Sequence, residues 1–184
     1  MAKIAEELKV TYTDILSLGE SNQRIEVFDG EVIMSAMPTV LHQIIAKKVF
    51  SLLDRYVENR DLGLVLPTPV DVVLSQHIVF QPDVSFLSHD RMHINDGKKY
   101  NAAPDLVVEV LSESTEERDR TFKFREYAKG GAKEYWLVSP EKKEIEVYEN
   151  SEKGFQLVNI FKSTDTMSTP LFPDAGFDLK EVFP

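Results

Sequence analysis

The sequence predicts a mixed α/β fold in which a central mixed β-sheet is flanked by helices. Apolar residues recur at helical spacing within Pro38–Arg60, and a second helical pattern covers about Thr115–Lys129. The runs Leu106–Leu111 and Glu134–Val138, on either side of the second helix, have strand character. Two strands joined through a helix form a parallel βαβ unit, whereas strands joined by tight turns are antiparallel. The combination therefore predicts a sheet of mixed direction.

The first part of the chain is predicted to form a short helix and a β-hairpin. Thr11–Leu18 has a helical pattern with a threonine available to cap it. Arg24–Phe28 and Glu31–Met34 are strand-like and are separated by an Asp-Gly pair, which favours a type I′ turn. The first long helix follows this hairpin.

The middle of the chain is rich in strand signals. Leu64–Leu66 and Val70–Leu74 are predicted strands, and Phe80–Leu87 is predicted to be one further strand. Ser88–Asn101 is polar and contains an Asp-Gly pair, which predicts a mobile loop. Leu106–Leu111 is the most apolar run, and we expect it at the centre of the sheet because buried strands are continuously apolar.

The last part of the chain is expected to add a hairpin and an irregular tail. Glu144–Glu149 and Phe155–Phe161 are strand-like and flank a polar turn. The tail is interrupted by Pro170, Pro173 and Pro184, and we expect it to lie along the surface. No repeat or linker divides the chain, so residues 1–184 are expected to form one domain.

Composition limits the chemistry that the chain can carry. The 184 residues include no cysteine, which excludes disulfides, thiolate zinc sites and cysteine nucleophiles. No run has the character of a signal peptide or a membrane span, so we expect a cytoplasmic location without membrane association. The net charge of −10 disfavours tight, nonspecific binding of nucleic acid. Pro38–Arg60 and Arg118–Lys133 are nevertheless net positive, so local charge permits DNA or RNA.

Three ionisable residues of the predicted sheet and its helix suggest a metal site. Asp83 directly follows a proline, Glu109 interrupts the most apolar strand, and Lys123 lies on the following helix. Carboxylates are seldom buried without a partner or a metal, and Mg²⁺ prefers hard oxygen ligands of this kind. Simpler roles remain open: Asp83 as a turn residue, Glu109 in a structural ion pair and Lys123 as a solvated lysine.

The chain also resembles a known family along nearly its whole length. The matching segments include Glu26–Glu31, Pro69–Val72, Gln81–Val84, Ala103–Ser112 and Gly131–Val138. This ordered series resembles the PD-(D/E)XK restriction-endonuclease-like superfamily and, within it, the Uma-type family of “putative restriction endonucleases”. The resemblance implies a restriction-endonuclease-like core. It also implies hydrolysis of phosphodiester bonds that depends on Mg²⁺, with Mn²⁺ as an alternative ion and DNA as the expected substrate.

The resemblance also assigns roles to individual residues. The superfamily pattern places an acid on one strand and an acid-x-lysine sequence on the next, and here Asp83 matches the first acid and Glu109 the second. Leu111 stands where the lysine is expected. Lys123 matches a lysine that has moved to the following helix, from which a flexible side chain can reach the same point. The resemblance thus implies that Asp83 and Glu109 bind the metal and that Lys123 orients the attacking water, with Glu31 as a candidate third ligand.

Other residues are weaker candidates for the same site. His42 lies near the start of the long helix, and Asp119 and Tyr127 lie four residues on either side of Lys123, so each is an accessory candidate or a packing residue. Asp105 also follows a proline, but the family pattern places it at the start of a strand. The alternative function is a catalytically silent module that binds nucleic acid or protein. A homodimer is expected for the endonuclease, since double-strand cleavage by one-site nucleases commonly implies a dimer and a two-fold pair is the commonest symmetry.

Overall fold

The computed structural model describes residues 9–17, 19 and 24–184. Helix α1 spans Tyr12–Ser17, as predicted, and Leu18 lies outside the described residues. Strands β1 (Ile25–Phe28) and β2 (Glu31–Met34) form the predicted antiparallel hairpin. The Asp-Gly turn between them has positive φ angles of 51° and 86°, as a type I′ turn requires at both central positions.

Helix α2 (Val40–Glu58) confirms the first long helix. The Thr39 side chain caps it by accepting a hydrogen bond from the backbone N–H of His42, which fixes His42 in the first turn. One face of α2 packs on the sheet through residues at helical spacing, namely Ile45, Val49, Leu52, Leu53 and Val57.

No helix of the described residues is long and apolar enough to cross a membrane.

Four strands follow α2: β3 (Gly63–Pro67), β4 (Val72–Ser75), β5 (Ile78–Phe80) and β6 (Val84–Ser88). The prediction of one strand over Phe80–Leu87 is therefore wrong. Strand β5 joins a four-stranded sheet of order β2-β1-β5-β4, while β6 belongs to a different sheet. Pro82 lies between β5 and β6 and lacks the N–H that a continuous strand needs. Asp83 consequently lies at the junction of the two sheets.

The segment Ser88–Asn101 is packed against the fold and is not the mobile loop that its polarity predicts. His89–Ile94 forms a 3₁₀ helix, and Tyr100 is buried with its backbone bridging to Val72. Ile94 and Tyr100 belong to the same apolar cluster. Two well-placed apolar residues are enough to anchor a segment that is otherwise polar.

Strands β7 (Leu106–Val110) and β8 (Glu134–Ser139) are parallel, which confirms the predicted βαβ connection. The connection is one helical segment made of α3 (Glu116–Arg118), a π-helical turn (Asp119–Lys123) and α4 (Phe124–Lys129). The predicted helix is thus present, with an irregular turn in its middle. Such π turns occur often at functional sites.

The largest sheet is completed by a second hairpin. Strands β9 (Glu144–Ser151) and β10 (Gly154–Lys162) pair antiparallel, as predicted, with a register shift near Leu157. The six strands have the order β10-β9-β8-β7-β6-β3, so β7 lies inside the sheet. Among these pairs, β7–β8 is parallel and the others are antiparallel, which confirms the mixed sheet.

The two faces of the six-stranded sheet carry separate apolar layers. Leu106, Val108 and Val110 pack in the layer that contains α2, whereas Val107 packs in the layer that contains α4 and parts of the four-stranded sheet. Because side chains alternate along a strand, Glu109 points to the same side as Val107. Glu109 therefore enters the layer that also holds the helical segment.

The C-terminal segment packs into the core, and the prediction that it lies along the surface is wrong. Strand β11 (Thr166–Met167) pairs with β12 (Phe177–Asp178), and a 3₁₀ helix covers Leu179–Glu181. Phe172 is buried against the ring of Trp136. The prolines mark turns, but the apolar residues between them complete the layer on the α2 face.

Candidate functional site

A cavity of about 1080 Å³ opens beside the junction of the two sheets. It lies where β6 begins and β7 ends, next to the first turn of α2 and the start of the helical segment. The ionisable side chains that line it include five of the sequence candidates together with one residue that was not predicted: Asp83, Glu109, Lys123, His42, Asp119 and Arg24.

Asp83 is held at the entrance to β6 by three donors. Its Oδ2 atom accepts a 2.8 Å hydrogen bond from the backbone N–H of Val110 and lies 3.2 Å from His42 Nε2. Its Oδ1 atom accepts a 2.8 Å hydrogen bond from Arg24 Nη1. Burial by itself raises the pKa of Asp83, but the contacts with His42, Arg24 and the Val110 N–H lower it to about 2. Asp83 is therefore a carboxylate at neutral pH.

Glu109 has the opposite electrostatic character. Its side chain is 2% exposed, with Oε1 3.1 Å from Lys123 Nζ and Oε2 3.5 Å from Arg24 Nη2. Burial raises the pKa of Glu109 well above its usual range, and the charges of Asp119 and Asp83 raise it further, against the lowering effect of Lys123 and Arg24. A buried acid with so raised a pKa is typical of functional sites.

Lys123 lies in the π-helical turn and is buried among three carboxylates. Its Nζ atom is 3.0 Å from Glu26 Oε1, 3.1 Å from Glu109 Oε1 and 3.1 Å from Asp119 Oδ1. Burial alone lowers the pKa of Lys123, but these three carboxylates outweigh it and raise the pKa above the ordinary value. Lys123 is therefore an ammonium group at neutral pH, and it donates a hydrogen bond to Glu109 Oε1, while the nearby Asp119 Oδ1 atom has no hydrogen-bond partner among the described residues.

The β1–β2 hairpin contributes two residues that the sequence reasoning missed. Glu26 is buried, accepts a 3.0 Å hydrogen bond from the Gln81 backbone N–H and contacts Lys123. Burial by itself raises the pKa of Glu26, but Lys123 and Arg24 lower it below the ordinary value. Arg24 contacts Asp83, Glu26 and Glu109 and also donates to the Gln81 carbonyl. The two-residue spacing of Arg24 and Glu26 was the sequence signal that could have found them, because residues two apart in a strand share a face.

Glu31 is not brought to the site. It is exposed beside the hairpin turn on the edge strand β2, where it pairs with Phe28. Glu26 pairs across the hairpin with Ile33 instead, and it alone of the two acids reaches Lys123. The acid that the hairpin brings to the cluster is therefore Glu26 and not Glu31, the residue that the sequence reasoning named.

Of the accessory candidates, His42 and Asp119 join the cluster and Tyr127 lies behind it. Tyr127 is buried against the Phe80 ring, and its hydroxyl has no hydrogen-bond partner among the described residues. Burial raises the pKa of Tyr127 well above 10, and the nearby charges of Glu109 and Glu26 add to the effect. The Tyr127 hydroxyl is therefore neutral at neutral pH.

The cluster carries more negative than positive charge. Its four acidic side chains face two permanent cations, Arg24 and Lys123, so the acids outnumber these cations by two. Within the part of the chain that the structure describes, no three histidine, aspartate or glutamate side chains are arranged to hold a metal ion as they stand. Two carboxylates suffice for Mg²⁺, which keeps several waters, so the donors and the charge fit a hard divalent cation. The six residues concerned are Glu26, Asp83, Glu109, Asp119, Arg24 and Lys123, and together with His42 they are called the acidic cluster below.

Comparison with known proteins places the chain among its relatives. The Uma2 family, described as “Putative restriction endonuclease”, matches residues 11–180. The uncharacterized protein slr1290 of Synechocystis sp. is 29% identical over 147 residues, which cover 79% of this chain and 76% of that protein. A crystal structure from Anabaena variabilis, described as a putative nuclease belonging to DUF820, has a TM-score of 0.77 and 20% sequence identity, and the match covers 95% of this chain and 97% of that one.

These matches confirm the predicted fold and the predicted family. The structural similarity shows a shared fold, so the predicted restriction-endonuclease-like α/β fold is confirmed. The family match spans nearly all of the chain, including both strands that carry the candidate acids and the helical segment that carries Lys123. The chain therefore belongs to the Uma2 family of putative restriction endonucleases.

Proposed function

We propose that this protein is a metal-dependent endonuclease that hydrolyses phosphodiester bonds of DNA, with residues 1–184 acting as one domain. One observation carries the proposal: the acidic cluster holds a buried excess of carboxylates at the wall of a cavity large enough for a substrate group. Negative charge that is withdrawn from water is unfavourable unless a cation compensates it. Membership of the Uma2 family supports the same class of reaction.

Asp83 and Glu109 are the residues proposed to hold Mg²⁺ or Mn²⁺. Both line the cavity and both are carboxylates, which are the ligands that these ions prefer. The ion, when bound, would polarise a phosphate oxygen and lower the pKa of water. Glu109 would then be held as a carboxylate, because a nearby divalent charge opposes the effect of burial on its pKa.

Lys123 is proposed to orient the attacking water and to stabilise the negative charge that develops on the phosphate. Its raised pKa makes it an N–H donor and not a general base. Three carboxylates crowd its Nζ atom, so a water that binds Lys123 would have to displace one of these contacts, and the Asp119 contact is the weakest because Asp119 Oδ1 has no hydrogen-bond partner among the described residues. Asp119 also lines the cavity, and it is the contact that we propose to yield. In the reaction the water oxygen bonds to phosphorus and the ester bond to the leaving oxygen breaks, while the water loses a proton to solvent and the leaving oxygen takes a proton from solvent to become a hydroxyl group.

Two further residues are proposed to position the reacting groups. His42 is held in the first turn of α2 and contacts Asp83, so it fixes the orientation of that carboxylate. Glu26 contacts Lys123 from the hairpin and fixes the ammonium from the side away from the cavity lining. Neither residue is required to change its protonation state in this scheme.

Plasmid cleavage with Glu109→Gln tests the proposal. In Mg²⁺ or Mn²⁺ the wild type is expected to nick or linearise supercoiled DNA, and the variant is expected to lose at least about 100-fold in rate. The substitution keeps the side-chain shape and removes the charge that the cation needs. Agarose gels run over a time course, with and without EDTA, give the rates.

Glu58→Gln is the matched control, since Glu58 is an exposed glutamate at the far end of α2. This variant is expected to cleave at the wild-type rate. Cleavage by Glu109→Gln that equals the control would contradict the assignment of Glu109. Cleavage that persists in EDTA would contradict metal dependence.

A specific observation favours the alternative, an interaction module without catalysis. The basic side chains that line the cavity are Arg24, His42 and Lys123, and each contacts a carboxylate. Among the described residues, the lining therefore offers no uncommitted cation to a phosphate backbone, which favours a module that binds protein. Fluorescence anisotropy with labelled DNA separates the two functions, because an endonuclease must bind DNA and a protein-binding module does not. A homodimer in the cytoplasm remains part of the proposal, and light scattering tests the dimer.

A further inference from the structure

Arg24 occupies a special position in the acidic cluster. Its Nη1 atom lies 2.8 Å from Asp83 Oδ1, and its Nη2 atom lies 3.5 Å from Glu109 Oε2. One guanidinium group thus spans the two carboxylates that the proposed function assigns to the metal. The Arg24 side chain is 23% exposed, in contrast to the 2% of both acids, so it reaches this position from the cavity side.

The position between the two acids cannot hold Arg24 and a divalent ion together. Arg24 contacts one oxygen of each acid, so a divalent ion that took Asp83 and Glu109 as ligands would have to compete with these contacts. Two cations held by the same two carboxylates repel each other strongly in a medium of low dielectric. The Lys123 ammonium, by contrast, contacts the other oxygen of Glu109, Oε1, and is not in the way.

The Arg24 side chain can also move away from the two acids. Its backbone is fixed, because the Arg24 carbonyl accepts a hydrogen bond from Ser35 N–H across the hairpin, so movement is confined to the side chain. Its Nε atom is buried without a hydrogen-bond partner among the described residues. A guanidinium with one unused donor is not optimally bound where it lies. A guanidinium is always protonated in a folded protein, so the group keeps its charge when it moves.

We propose that the Arg24 guanidinium is an internal substitute for the divalent cation, and that metal binding to Asp83 and Glu109 displaces it into the cavity. This inference rests on the proposed function, since it requires the same two carboxylates to bind metal. In the absence of metal, Arg24 keeps the buried acids partly compensated. Once displaced, it is a planar cation free to pair with a phosphate oxygen in the cavity.

Calorimetric titration with Mn²⁺ in the absence of nucleic acid tests the competition. Arg24→Ala is expected to bind Mn²⁺ about tenfold more tightly than the wild type, because the ion no longer has to break a charge-assisted hydrogen bond. Arg24→Gln, which keeps a neutral hydrogen-bond donor, serves if the alanine variant does not fold. The wild type supplies an independent readout: the NMR signals of the Arg24 side-chain N–H groups are expected to shift on titration with Mg²⁺.

Arg120→Ala is the matched control. Arg120 has a similarly half-buried side chain and two acidic partners, Glu116 and Glu146, so its removal deletes one positive charge without touching the two metal ligands. An equal gain in Mn²⁺ affinity in both variants would show a general charge effect and overturn the proposal. Unchanged or weaker binding by Arg24→Ala, or Arg24 signals that do not respond to Mg²⁺ in a wild type that binds it, would overturn it as well. If neither the wild type nor Arg24→Ala binds Mn²⁺, the proposed function fails, and the competition fails with it.

Discussion

The two ends of the β6–β7 strand pair carry the same Pro-Asp sequence, but the residues around the two aspartates differ. Asp83 follows Pro82 before β6, and Asp105 follows Pro104 before β7. Because these strands are antiparallel, the two aspartates lie at opposite ends of the pair. Each accepts a 2.8 Å hydrogen bond from the backbone at the end of the neighbouring strand, Asp83 from Val110 N–H and Asp105 from Ser88 N–H.

The residues around each aspartate distinguish the structural Asp105 from the candidate metal ligand Asp83. Asp105 also accepts from the Ser88 hydroxyl at 2.9 Å and pairs with Lys133 at 2.8 Å, with Arg91 at 3.6 Å. Its contacts are donors and cations, and it lines no part of the acidic cluster's cavity. Asp83, in contrast, shares Arg24 with two other carboxylates. The Pro-Asp pair fixes the local geometry, and the neighbouring charges decide what that geometry is used for.

The largest expected effect that tests this contrast comes from alanine substitution at each aspartate. Asp105→Ala is expected to lower the free energy of unfolding by about 3 kcal/mol, because it leaves the buried Ser88 N–H unsatisfied and removes the Lys133 pair. Asp83→Ala is expected to cost less, since it also relieves repulsion on Glu109, but it should abolish the response to Mn²⁺. Urea unfolding with and without Mn²⁺ measures both quantities.

The opposite pattern would break the comparison. A folded Asp105→Ala variant is expected to keep the wild-type gain in stability on addition of Mn²⁺. If that gain disappears in Asp105→Ala and persists in Asp83→Ala, the wrong end of the strand pair has been assigned to the metal.

The pH dependence of stability sharpens the comparison inside the acidic cluster. The folded-state pKa of Asp83 is about 2, below its usual range, so its ionised form stabilises the protein above about pH 4, and this contribution is lost as pH falls toward 2. At neutral pH, in EDTA, Asp83→Asn is therefore expected to cost about 2 kcal/mol. Glu109 has a raised pKa, so the folded state binds its proton more tightly, and the metal-free protein loses stability as pH rises above the usual range of a glutamate.

Glu109→Gln mimics the protonated acid and should not destabilise the metal-free protein at neutral pH. Thermal unfolding of the two amide variants in EDTA, at several pH values between 5 and about 8, checks the opposite signs. A loss of stability in Glu109→Gln as large as that in Asp83→Asn would mean that Glu109 is an ordinary ion-pair partner of Lys123.

The smallest expected effect concerns the two acids of the β1–β2 hairpin. Glu26→Gln is expected to cost about 1 kcal/mol and to weaken Mn²⁺ binding, because Glu26 holds Lys123 in place through a buried contact. Glu31→Gln is expected to leave stability and Mn²⁺ binding unchanged, because Glu31 is exposed on an edge strand. Calorimetric titration of both variants decides which acid of the hairpin belongs to the site.

Most of the fold was predictable from periodicity and turn chemistry. Helix α2, the hairpins and the βαβ unit follow from apolar spacing, an Asp-Gly turn and a helix between two apolar strands. Two of the errors arose where a few apolar residues act at long range. Tyr100 anchors a polar segment, and Phe172 turns a proline-rich tail into part of the core. Sequence spacing carries no information on which distant surface such a residue meets.

In the candidate site, Asp83, Glu109 and Lys123 could be named from the sequence, whereas Arg24 and Glu26 could not. Asp83 and Glu109 are unusual for their strands, and Lys123 followed from the family resemblance, so all three could be named. Arg24 is an ordinary residue before an ordinary hairpin, and its role depends on the four-stranded sheet folding back onto β6 and β7. The choice between Glu26 and Glu31 likewise depended on which face of the hairpin the sheet covers.

The packing of the C-terminal segment has a consequence for synthesis of the chain. Tyr56 of α2 packs edge-on against the rings of Phe172 and Phe177, so the helix that presents His42 shares its apolar layer with residues made more than a hundred positions later. On the ribosome, Tyr56 cannot make these contacts until Phe172 and Phe177 have emerged. An apolar helix surface that is exposed in the meantime is a site for chaperones and for aggregation. The helix that lines the cavity therefore gains part of its packing only after most of the chain has been made.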